Sequence, residues 1–385
     1  MRKAQADFSN LLTTSKALQP LIEKILWSSM IHLKVNRLID GTFERAAMAF
    51  GVSERRHGEW TRELWLSMAQ GTASMEACVW PIHALCPNLR KYSLYMDWMA
   101  DCNIQHLNDI LEGMGNTPAV LVDWASRITS FSMYSFPRDG STWPNIHDIS
   151  RWFPSLQTLI VEDYSWGWRE EPRTTVATFP CLRHLSYNQE RSLTSILHTI
   201  NAPKLELLRI ETPVDGKERE QTFKFLSRTK HTLVSLYLHY CPKTGHISFL
   251  DRVLETCTGL QILVLDFEWC PDFKSELVGF PTLRAPSVMP SLQRLILVVD
   301  GFLRVRKRGV TELTAFLQRR FSSDLFPHIK SVALEKQFAF EDSITKPLIE
   351  TVEVTMPQAK VTWDYYIQAH ITPDYAHHFG FHDNE

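Results

Sequence analysis

The stretch Ala202-Pro-Lys-Leu-Glu-Leu-Leu-Arg-Ile-Glu211 sets three apolar residues, Leu205, Leu208 and Ile210, at i, i+3 and i+5, with Pro203 two residues ahead of the first. From Leu208 the order Leu208-Arg209-Ile210-Glu211 alternates apolar and polar, the period of a strand with one face buried. Upstream, Pro180-Cys-Leu182-Arg-His-Leu185-Ser-Tyr187 repeats the arrangement. The triplet recurs further upstream as Leu89/Tyr92/Leu94, Ile128/Phe131/Met133 and Leu156/Leu159/Val161. Downstream it continues as Leu233/Leu236/Leu238, Leu260/Leu263/Leu265, Leu292/Leu295/Leu297 and Ile329/Val332/Leu334.

The first members of these nine triplets stand 39, 28, 26, 23, 28, 27, 32 and 37 residues apart. A period of this length marks a chain built of stacked repeats. Proline guards against a pattern picked by eye, because Pro87, Pro154, Pro180, Pro203, Pro290 and Pro327 all sit two residues before a first apolar position. With 20 prolines in 385 residues, nine such positions would hold roughly 0.5 by chance. Proline lacks an N–H and biases its neighbour toward extended backbone, so it closes a helix and leads into a strand.

Helical spacing lies between several triplets. Ser192–Ile200 places Leu193, Ile196, Leu197 and Ile200 on one face, and Ser248-Phe-Leu-Asp251 resembles a capping box opening a helix with Leu250, Val253 and Leu254. Thr311–Phe321 groups Leu313, Phe316 and Leu317. Helix, turn, proline, short strand is the expected unit, and units that cannot bury a face alone must stack. Strands about 4.8 Å apart then form a parallel sheet about 40 Å along its curve. This L-x-x-L-x-L pattern resembles the leucine-rich repeat family over residues 80–340. It departs from that family's regular members at i+8, which reads Asp97, Phe136, Tyr164, Glu190, Pro213, Cys241, Glu268, Asp300 and Gln337 rather than Asn or Cys throughout. The resemblance implies an α/β fold: an irregular leucine-rich repeat solenoid, parallel strands on the concave side and helices on the convex side, with an α-helical N-terminal cap.

The amino-terminal segment is different in kind. Leu11, Leu12, Ser15 and Leu18 share one helical face, and Pro20 opens a second helix with Leu21, Ile22, Ile25 and Leu26. The order through Trp27 to Ile31-x-Leu33 resembles the second half of an F-box, of the kind that precedes irregular leucine-rich repeats in fungal proteins. That resemblance implies docking on the small adaptor subunit of a cullin-RING ubiquitin ligase through Leu11, Leu12, Leu18 and Ile22. The family's Leu-Pro first half has no counterpart in the six residues before Asp7. The expectation is therefore that 1–385 binds adaptor weakly or not at all, with the helices capping the solenoid as the alternative. Residues 34–85, including Phe43–Phe50 and Trp60–Met68, read as further helices. The expected domains are a helical region 1–85 holding the F-box-like segment 7–33, a solenoid 86–340, and a C-terminal cap and tail 341–385.

Composition narrows the function. The 385 residues carry 41 basic and 43 acidic side chains, net −2, so no global field draws in nucleic acid or an anionic membrane. No apolar run approaches the ~20 residues of a membrane span, and the opening lacks the apolar core of a secretory signal. Seven scattered cysteines without a C-x-x-C pair read as reduced core residues. The expected location is intracellular, cytoplasmic or nuclear. Phosphate-cradling, dinucleotide, zinc-protease and nucleophile-elbow motifs are absent. No catalytic residue, cofactor or metal is assigned, and the chain reads as no enzyme. His377, His378 and His382 read as a solvated tail, and Arg304, Arg306, Lys307 and Arg308, followed by Arg319 and Arg320, as an exposed loop. Trp98, Trp166, Trp168 and Trp269 follow strands and serve either the core or a rim of aromatic contacts.

With the triplets inward, positions i+2, i+4 and i+6 project from the other face of the sheet. That face carries His184, Ser186, Asn188, Arg209, Glu211, Ser235, Tyr237, His239 and Asp266. The expected protein-binding centre is an exposed Tyr237 with His239, flanked by Arg209, Glu211 and Asp266. Ile262, Val264, Ile296 and Val298 beside it form either an apolar patch or a surface covered by a C-terminal segment. The reading is a protein–protein interaction module, the substrate receptor of an F-box-type ligase or else a scaffold without ligase attachment. Its partners are a protein on the concave face and the ligase adaptor.

Overall fold

The computed structural model describes residues 24, 31–34, 59–68, 86–96, 125–135, 146–163, 176–189, 196–211, 213, 216–239, 246–266, 288–298, 314–318, 321–335 and 342–364. It is an α/β protein organised in two compact units, Met1–Lys204 and Leu205–Glu385. In the first unit the strands β1 (Ile31–Lys34), β2 (Glu63–Met68), β3 (Lys91–Met96), β4 (Ser130–Ser135) and β5 (Thr158–Asp163) pair in parallel, each with the next. Here α1 (Ile146–Trp152) precedes β5, and β6 (Ala177–Thr178) follows it. The main sheet goes on from β5 to β7 (His184–Gln189), while β6 pairs with β8 (Ile200–Asn201) as a small separate ladder.

The second unit repeats the plan. Strands β9 (Leu207–Glu211), β10 (Ser235–His239), β11 (Ile262–Asp266), β12 (Arg294–Val298), β13 (Ser331–Glu335) and β14 (Lys360–Asp364) pair in parallel in chain order. Between them run α2 (Gly216–Thr229), α3 (His246–Thr256) and α4 (Asp342–Thr355). Stacked parallel strands with a fixed register suit a solenoid-like, repeat-built architecture.

The triplets occupy equivalent places. Leu64, Tyr92, Phe131, Leu159 and Leu185 align across the first unit, and Leu208, Leu236, Leu263, Leu295 and Val332 across the second. All of them are buried. Neighbouring helices of the second unit pack on one another. Phe223 of α2 meets Phe249 of α3 with ring centroids 5.0 Å apart, and the Arg252 guanidinium lies 4.1 Å over Phe223 while pairing with Glu220.

Hydrogen bonds at the junctions explain the prolines. In seven of the nine units the N–H of the first apolar residue closes a turn onto the carbonyl three residues back, as with Leu89 to Cys86 at 3.1 Å, Leu156 to Phe153 at 3.1 Å and Ile329 to Phe326 at 3.2 Å. Proline thus sits at the second position of a four-residue turn, where its fixed φ is already correct. The first turn residue is itself a buried apolar position, filled by Cys86, Ala125, Phe153, Phe179, Cys257, Met289 and Phe326. One carbonyl then joins each unit to the next by accepting two N–H groups: Gln157 O takes Arg183 at 2.8 Å and His184 at 2.9 Å. Gln261 O takes Gln293 at 2.9 Å and Arg294 at 3.0 Å.

Several expectations are corrected. Trp60–Met68 is not a helix, since Glu63–Met68 is β2; with β1 ahead of it, the sheet begins well before residue 86. It also runs past residue 340, through β14. Within Ser192–Ile200 only the 3-10 turn Ile196–Thr199 is described, followed by β8. The helix expected from Ser248 starts at His246. Within Thr311–Phe321, residues 314–318 are helical, with Phe316 and Leu317 buried. Phe43–Phe50 lies outside the described residues.

Candidate functional site

Period-two geometry puts the five proposed contact residues together. On β9, β10 and β11, Tyr237 lies in register with Arg209 and Val264, and His239 with Glu211 and Asp266. All five project from the face opposite the triplets, as alternation requires. The Tyr237 hydroxyl donates to Asp266 Oδ2, and the Arg209 guanidinium carbon stands 4.6 Å from the Tyr237 ring centroid. Aromatic ring, cation and carboxylate form one brace across three strands.

Exposure is where the expectation fails. Tyr237 is 1% exposed, Asp266 2% and Arg209 7%, so the presumed solvent-facing anchor is enclosed. Glu211 and His239, at the carboxyl ends of their strands, are half-buried. The cause is the ground beside them. Tyr237, Val264, Ile296, Val298 and Ala333 form one buried apolar cluster with half-buried Ile262 packed against it. A parallel sheet buried on both faces reads as a continuous apolar run rather than an alternation. Ile262-Leu-Val-Leu265 and Leu295-Ile-Leu-Val298 are such runs.

The same face of the first unit is more polar. Ser93, Ser132, Ile160 and Ser186 align across β3, β4, β5 and β7 and are buried. Two residues earlier along the strands the face is mixed: Ser130 is buried, Lys91 is partly exposed with its ammonium 2.7 Å from Glu63, and His184 is exposed.

Other candidates fall elsewhere. Leu11, Leu12, Leu18 and Ile22 lie outside the described residues; Lys24, beside them, is helical. So do Asn188's side chain, Trp98, Trp166, Trp168, Trp269, the basic run 304–308 with Arg319 and Arg320, and His377, His378 and His382. Among the described residues no group of three or more His, Cys, Asp or Glu side chains is placed to hold a metal ion. No described helix is long and apolar enough to cross a membrane. Cys86, Cys181 and Cys257 are free thiols. Burial pushes Cys86 and Cys257 up to about 12, against a small lowering from the Thr61 hydrogen bond and the Lys230 charge respectively. No family model matches the chain, and no curated protein matches it.

Proposed function

We propose that the chain is a protein–protein interaction module and that it serves as the substrate receptor of an F-box-type ubiquitin ligase. The supporting observation is at the amino end of the sheet. Ile31–Lys34, which closes the F-box-like segment, is β1 and pairs residue for residue with Leu64–Ser67 of β2. An adaptor docked on residues 7–33 would thus be joined to the repeats without an intervening linker. In this reading the partner meets the rim of the second unit's face at Glu211 and His239, with the Arg209–Tyr237–Asp266 brace holding the strand ends in place beneath it. The module needs no cofactor, and its location is the cytoplasm or nucleus.

The test uses purified adaptor subunit and two chains, 1–385 and the same chain with a Leu-Pro F-box half supplied upstream of Met1. Co-elution of a stoichiometric complex of adaptor with the extended chain is the expected result. Failure of both chains to bind would leave residues 7–33 as a cap on a scaffold that has no ligase attachment.

A further inference from the structure

The buried apolar ground of the second unit forms a straight row. Tyr237, Val264, Ile296 and Ala333 stand in register across β10, β11, β12 and β13, and Thr362 of β14 continues the line. All four are buried, and Val264, Ala333 and neighbouring Val298 expose no surface at all. Among the described residues this cluster is made of sheet side chains alone. The helices bury apolar side chains of their own, such as Phe223 of α2, Phe249 of α3 and Leu348 of α4, but these are not part of it. A sheet face left bare shows its side chains to water, so closing this one takes a further stretch of chain.

A stretch of the right pattern and length follows the last strand. Tyr365-Tyr-Ile-Gln-Ala-His-Ile371, directly after β14, lies outside the described residues. In it Tyr365, Ile367, Ala369 and Ile371 alternate with Tyr366, Gln368 and His370, and Pro373 ends the pattern. Extended backbone over this stretch carries one apolar face and one polar face. From Tyr365 to Ile371 such a chain spans about 20 Å, and the strand spacings from β14 back to β10 add up to about 19 Å. The stretches after β11 and β12 suit a dry face less well. Pro271 interrupts the first, and Arg304, Arg306, Lys307 and Arg308 charge the second.

We propose that residues 365–371 turn back from β14 across the second unit's sheet and seat Tyr365, Ile367, Ala369 and Ile371 on the Tyr237–Val264–Ile296–Ala333 row. The chain thereby occupies its own apolar face, and an incoming protein must displace this segment to reach the row. The contact goes beyond the receptor reading, which places the partner at Glu211 and His239. Its test needs no adaptor, so either reading can fail alone.

Photo-crosslinking of the full chain tests the contact, with p-benzoylphenylalanine in place of Ile367. Irradiation should join position 367 to β11 and β12 of the same chain, read by mass spectrometry of the digest. A second full-length chain, Ile367→Asp/Ile371→Asp, puts two carboxylates where the row needs apolar cover. Its fluorescence with an anilinonaphthalene sulfonate probe should rise several-fold above the parent's. A fluorescein-tagged peptide of residues 363–373 should bind that variant saturably and leave the parent, whose row is filled, unbound. If the variant melts early, the crosslink alone decides. Crosslinks confined to other segments, or unchanged probe fluorescence in a stable variant, would overturn the proposal. Crosslinks between chains would overturn it as well and give the row to a second copy.

Discussion

Tyr237 holds the sharpest residue-scale consequence of the enclosed face. Its hydroxyl is a donor to a carboxylate that is itself buried, so Tyr237→Phe leaves Asp266 short of that bond. The expected loss is about 1–3 kcal/mol in urea denaturation, the range for a buried acceptor deprived of its donor. Tyr237→Ala should cost more, about 3–5 kcal/mol, because the ring also fills the cluster with Val264 and Ile296. A surface aromatic would change stability by no more than about 0.5 kcal/mol either way, and that outcome would return Tyr237 to solvent. The buried thiols make a second prediction. Cys86 and Cys257 keep their protons to about 12 rather than the usual 9.0. Above pH 9 the unfolded chain releases protons that the folded chain retains, so stability falls with rising pH until about pH 12. The slope is up to about 1.4 kcal/mol per pH unit for each thiol, and the contribution is intact below pH 9. The double variant Cys86→Ala/Cys257→Ala should flatten the fall between pH 9 and 11. An identical pH dependence in parent and variant would contradict the burial of these thiols.

At the scale of elements, the turn before each strand divides its work between two neighbouring residues. Phe326 is fully buried and stacks on Phe321 at 5.1 Å, whereas Pro327 beside it is exposed. Phe326→Ala should therefore cost about 3–5 kcal/mol. Pro327→Ala should cost only about 0.4–1 kcal/mol, through the greater freedom of the unfolded chain. Equal losses for the two variants would mean that the proline acts through contacts rather than through φ. The main-sheet strands from Lys91 to Glu335 were legible because each carries the i+3 and i+5 members of a triplet. The buried first turn residue was not, because Cys, Ala, Phe and Met share no pattern beyond being apolar. Three of the elements that escaped did so for separate reasons. Thr61 and Gln358 stand where β2 and β14 would have a first apolar residue, and Gln358 instead donates to Phe326 O at 3.1 Å. Leu64 is four residues from both Trp60 and Met68, so β2 also satisfied a helical spacing. The apolar face of α2 is interrupted by buried Glu218, Thr222 and Thr229, which masked its period.

For the whole molecule, period two placed Arg209, Glu211, Tyr237, His239 and Asp266 on one face correctly. It was silent on cover, because exposure depends on what packs against a face, and only the apolar runs on β11 and β12 recorded that. The strand ladder carries a further consequence. Each strand within a unit hydrogen-bonds only to the strands beside it, so stability accumulates from neighbouring interfaces rather than from one shared centre. Such arrays depart from all-or-none unfolding when one interface is weakened. Leu263 is fully buried in the middle of β11, between Leu236 and Leu295. Leu263→Ala should remove about 2–5 kcal/mol, and native-state hydrogen exchange should show where the loss falls. Amides of Ser235–His239, Ile262–Asp266 and Arg294–Val298 should lose protection together, while those of Lys91–Met96 and Ser130–Ser135 in the first unit keep theirs. A uniform loss across both units would show that the chain unfolds as a single cooperative body, and the repeat-built account of its stability would fail.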